Sequence, residues 1–76
     1  MRIKYTTHGT ERGDERAISR SDIEYVLKHF DMSMPGRGRA VKYLGTLPDG
    51  RRMAVVLVRP LDVTKVNVVK TTFPVE

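Results

Sequence analysis

A chain of 76 residues, 39% hydrophobic and 30% charged, has room for one small globular domain, and that balance excludes an intrinsically disordered segment. Cysteine is absent, which excludes disulfides and thiolate metal sites and makes a reducing, cytoplasmic setting the expectation. The formal net charge of +5 favours phosphate-rich or acidic partners, with a solubilising surface as the structural alternative.

The charge is uneven. Residues 1–20 carry five basic and three acidic side chains, residues 21–38 two and three, and residues 39–76 seven and three. The start, Met1-Arg2-Ile3-Lys4-Tyr5, has none of the apolar run a signal peptide needs, and Met53 to Val58 is too short to cross a bilayer. No membrane partner is expected.

Ile3 and Tyr5 alternate with Arg2, Lys4 and Thr6, which predicts a short first strand. Thr7 to Arg16 has no large apolar residue and contains Gly9 and Gly13. On propensity it reads as a loop, or as a poor helix that other parts must hold in place. Ser19 is a good N-cap, Ile18 and Ile23 fit a hydrophobic staple, and Ile23, Val26, Leu27 and Phe30 form one apolar stripe. An amphipathic helix follows, ended across Asp31 to Gly38 by Pro35, Gly36 and Gly38. Arg39 to Thr46 is extended, Leu47-Pro48-Asp49-Gly50-Arg51 is a hairpin turn, and Arg51 to Arg59 is its second strand. Pro60 to Thr64 connects to a last strand, Lys65 to Phe73. Met53 to Val58 is apolar on both faces, as in a strand covered on both sides. One helical stripe covers one side, so the other calls for the 7–16 segment, a loop or a second chain. A homodimer or a stable protein complex is therefore expected.

Chemistry concentrates in a few places. His8, Arg12 and Arg16 fall at i, i+4 and i+8, one face of the segment if it is helical. An imidazole moves protons near neutral pH, and guanidinium groups hold phosphate oxygens bidentately. The alternative is a solvated segment in which Glu11, Asp14 and Glu15 neutralise the arginines. His29 suits the helix C-terminus, where a cation complements the dipole. Gly36-Arg37-Gly38-Arg39 lacks the P-loop pattern and reads as a flexible loop, although its arginines could meet a phosphate. Tyr43, beside Lys42, is either a base-stacking ring or a core aromatic. By strict alternation Lys70 shares a face with Val66, Val68 and Thr72, and Thr71 shares one with Val69 and Phe73. No zinc pattern or acidic metal cluster is present in the sequence, so no metal or cofactor is expected and any nuclease chemistry would be metal-independent.

Taken together, His8-x3-Arg12-x3-Arg16-x-Ile18-Ser19 ahead of an amphipathic helix, Tyr43-x-Gly45, the Asp49-Gly50-Arg51 hairpin, the valine strand and Val68-Val69-Lys70-Thr71-x-Phe73-Pro74 resemble a known family. It is a small bacterial and archaeal domain family of unknown function, grouped with RelE-like and BrnT-like toxins in the barnase/RelE-like ribonuclease set. The likeness covers almost the whole chain as one domain. It implies an α+β fold, β-α-α-β-β-β, with one or two helices packed on a curved antiparallel sheet and 7–16 helical. It also implies a toxin-related ribonuclease, with an antitoxin protein as partner. In that reading His8 is the general acid or base, and Arg12 and Arg16 hold the scissile phosphate. Arg39, Arg51, Arg52, Lys70 and Thr71 would contact RNA, with Tyr43 stacking on a base. The alternative is a non-catalytic nucleic-acid-binding or protein-interaction module of the same fold.

Overall fold

The computed structural model describes residues 1–5 and 19–75. The order is β1 (Arg2–Tyr5), α1 (Arg20–His29), β2 (Met32–Pro35), β3 (Val41–Thr46), β4 (Arg52–Leu57) and β5 (Val66–Val75). The α+β class is as expected. The five strands form one sheet in the order β1-β5-β4-β3-β2.

Two features correct the sequence reading. The sheet is mixed, because β1 pairs with β5 in parallel while every other pair is antiparallel. In addition, Met32–Pro35 is a strand where a terminating loop was expected. The segment is short and sits at the sheet edge, where a proline without an N–H costs no ladder bond. The second helix implied for 7–16 lies outside the described residues.

The helix forms where its signals stand. The Asp22 backbone N–H donates to Ser19 Oγ at 3.1 Å, the expected N-cap bond. Arg20 Nη2 donates to the Ile3 carbonyl at 3.2 Å and ties the first turn to β1. Ile23, Val26 and Leu27 are buried, whereas Phe30 is half in solvent and packs its ring against Tyr43, centroids 4.7 Å apart. Gly45 lets the helix approach β3 closely: a Cβ there would lie 3.3 Å from Val26 Cγ1.

Directly opposed residues share a face of the sheet, so the register sorts the strands into two sets. Ile3, Tyr43, Met53, Val55, Leu57 and Val69 face α1 and form the core with its three buried side chains. A bulge interrupts the β4–β5 ladder: Val56 pairs with Thr71 and Leu57 with Val69, leaving Lys70 as the extra residue. The bulge shifts the phase of β5. Thr71 and Phe73 therefore join Val66 and Val68 on the face away from α1, and Thr72 joins Val69 beneath it. The pairing expected from strict alternation is thus reversed beyond Lys70. Pro74 lies past the β1 pairing of the described residues, which ends at Val69, and β5 runs through it to Val75.

Candidate nucleic-acid interface

The face of the sheet opposite α1, here the distal face, carries Arg2 and Lys4 from β1, Lys42 from β3 and Arg52 from β4. The five strands contain no Asp or Glu. All their basic residues lie on this face, apart from Lys70 at the bulge. Between the cations run Met34, Val56, Val68, Thr71, Phe73 and Val75, all partly accessible. Phe73 is the one ring among the described residues of this face, and the Lys42 ammonium stands 5.9 Å from its centroid. Cation and ring alternate around a centre where Leu44 and Ala54, on the same face, are buried.

One end of the distal face opens into a cleft of about 380 Å³ lined by Arg37, Arg39, Ala40, Val58, Arg59 and Lys70. Three chain segments build it. The β2–β3 turn supplies Arg37 and Arg39; it closes with Gly36 N–H donating to Ala40 O at 2.8 Å and Ala40 N–H donating to Arg37 O at 3.1 Å. Gly38 takes a φ of 62° there, which a primed hairpin turn requires. The exit of β4 supplies Val58 and Arg59, anchored by the Val58 N–H bond to Val68 O at 2.9 Å. The bulge supplies Lys70. A neighbouring cleft of about 570 Å³ shares Arg39, Val58 and Arg59 and adds Asp62 and Lys65. Asp62 accepts bonds from the Thr64 amide and hydroxyl, which hold its carboxyl below the usual range.

The predicted site residues divide. His8, Arg12 and Arg16 lie outside the described residues. Arg52 and Thr71 reach the distal face, and Arg39 and Lys70 meet in the cleft. Tyr43 is corrected: it faces α1, is 5% exposed, and its hydroxyl accepts the Leu61 N–H at 2.8 Å, so its ring is core and does not meet a base. Arg51 stands apart from the distal face. It precedes β4 in the hairpin turn and bonds Asp49 at 2.7 Å and Asp22 at 3.3 Å, on the helix side. Hydrogen bonds from the Arg51 amide and then its side chain hold the Asp49 carboxyl below its ordinary value. Arg52 also has an acidic neighbour, Asp31 at 3.6 Å, but both groups are well exposed and the pair is weak.

Lys42, Phe73 and Arg59 were not among the expected contacts, and the sequence offers Arg37 only as part of a flexible loop whose arginines could meet a phosphate. Lys42 was recoverable, because placing Tyr43 in the core puts its neighbour on the opposite face. Phe73 was hidden by the bulge, and Arg59 by its separation along the chain from Arg37 and Arg39.

Among the described residues no group of three His, Cys, Asp or Glu side chains is placed to hold a metal, and no helix is long and apolar enough to cross a membrane. Comparison with protein-family models, characterised proteins and solved structures finds no match.

Proposed function

We propose that this domain binds single-stranded RNA across the distal face of its sheet. The observation that carries the reading is charge segregation: strand cations gather on one face with no strand acid to neutralise them. Lys and Arg neutralise phosphates, and partly exposed apolar side chains with a ring accept unstacked bases. Among the described residues no helix or ribbon stands out from this face to read a duplex groove, which favours single strands. The choice of RNA, the relation to RelE-like and BrnT-like toxins and a cytoplasmic setting rest on the sequence resemblance and composition. Metal-independent cleavage through His8, Arg12 and Arg16 is the further step of the same reading. If His8 is the proton-transfer group, His8→Ala lowers the cleavage rate by about 10²–10⁴-fold.

Fluorescence anisotropy with a labelled oligoribonucleotide at rising salt tests binding. Affinity should fall steeply with salt, with Lys42→Ala and Arg52→Ala each flattening the log–log slope by about 0.7, the value for one single-strand phosphate contact. No binding at low salt overturns the proposal.

A second reading, a homodimer or a complex with an antitoxin-like protein, is favoured by exposed apolar side chains on the same face, Met32 at 51% and Val66 at 47%. Light scattering tests the homodimer, and a monodisperse monomer at high concentration rejects it.

A further inference from the structure

The cleft at the end of the distal face holds more positive charge than an internal phosphodiester needs. Arg37, Arg39, Arg59 and Lys70 line it, and no acidic side chain does so among the described residues. No ion pair among the described residues engages Arg37, Arg39 or Arg59, in contrast to Arg51 and Arg52, which both have carboxylate neighbours. Ala40 and Val58 give the cleft an apolar part, with Ala40 itself buried.

An internal phosphodiester presents one negative charge and two free oxygens. A terminal phosphomonoester presents a charge of about −1.5 to −2 at neutral pH and three strong acceptor oxygens. Each guanidinium offers five N–H donors in a fixed fork, and three such groups match the monoester better than the diester. Position agrees with charge. The cleft lies where β3 begins and β4 ends, whereas Arg52 marks the far end of β4. A strand laid between the Arg52 and Arg59 ends of the face would bring one terminus to the cleft.

We infer that this cleft is a subsite for the terminal phosphomonoester of a bound RNA strand, an inference that rests on the proposed RNA binding. The chemistry is shared by 5′- and 3′-phosphates, and the experiment separates them.

Short oligoribonucleotides of one sequence, ending in a 5′-phosphate, a 3′-phosphate or hydroxyls alone, are titrated against the wild-type chain and an Arg39→Ala/Arg59→Ala variant. One phosphorylated form should bind about tenfold tighter than the hydroxyl-ended form, the effect of one added charge-assisted hydrogen bond. The phosphorylated end that gains affinity identifies the terminus. The double variant should lose that preference, whereas Lys42→Ala should weaken all three oligonucleotides alike. Both arginines are exposed, and a thermal melt checks that the variant is folded. Equal affinity for all three forms, or a preference that survives in the folded double variant, overturns the subsite and leaves RNA binding standing. Failure of all three to bind overturns the RNA reading itself.

Discussion

The two faces of this sheet are built by alternate residues of the same strands, yet they have different physics. In β4, Met53, Val55 and Leu57 face α1 and are 3%, 0% and 0% exposed, and no strand charge shares their side. Their neighbours Arg52, Ala54 and Val56 face away, Ala54 buried at the centre and Arg52 exposed at the end. The helix-covered face therefore supplies cohesion and the distal face supplies charge. Changes on the first should act on stability, and changes on the second on binding. The conclusion depends on register, because a one-residue slip would bring the cations under the helix.

The largest effect is expected from the covered face. Leu57→Ala removes a fully buried side chain and should cost about 2–5 kcal/mol in urea unfolding. A domain of this size has on the order of 4–11 kcal/mol in total, so this variant approaches the edge of folding. Lys42→Ala on the other face should change stability by about 0.5 kcal/mol or less. Similar losses for the two variants would break the comparison.

Gly45→Val should come next. Its first added carbon already meets Val26 Cγ1 at 3.3 Å and Phe30 Cα at 3.5 Å, so the branched side chain must push α1 off β3. Overpacking of this kind costs about 1–3 kcal/mol, readable as a lower urea midpoint. An unchanged midpoint would mean that the helix does not sit tightly on β3.

The smallest effect is one of pH. Asp49 has its carboxyl pKa depressed by the Arg51 amide and side chain, and Asp62 by the Thr64 hydroxyl and amide. A depressed folded pKa means that each contributes stability above the unfolded value near 4, lost as pH falls through the lower folded value. Asp49→Asn should therefore make the acid side of the stability–pH profile shallower and leave neutral RNA affinity unchanged. A variant profile as steep as wild type would remove the Asp49–Arg51 contribution. Both carboxylates are exposed, so the change is small.

Much of the covered face was legible before any coordinates. Ser19, the Ile23–Val26–Leu27 stripe and the Pro48-Asp49-Gly50 turn each act over a few neighbouring residues, and local rules suffice there. The parallel placement of β1 was not legible, because nothing in Arg2 to Tyr5 says which strand it will join. Nor was the bulge at Lys70, which leaves no compositional mark and exchanges the faces of Thr71, Thr72 and Phe73. Of the contacts expected from the sequence, Arg52 and Thr71 share the distal face, a placement that the register and the bulge decide. The cleft unites Arg37 and Arg39 with Arg59 and Lys70 through the tertiary pairing of β3, β4 and β5, which spacing along the chain does not encode.

The most direct test of the central claim uses methyl groups as reporters of the two faces. Val56, Val68, Val75 and Met34 lie on the distal face, whereas Val26, Leu27, Val55 and Val69 lie in the core with α1. On titration of methyl-labelled protein with a short single-stranded oligoribonucleotide at low salt, the first set should shift and the second should stay nearly still. Shifts concentrated on the core methyls, or no shifts at all, would contradict binding by the distal face.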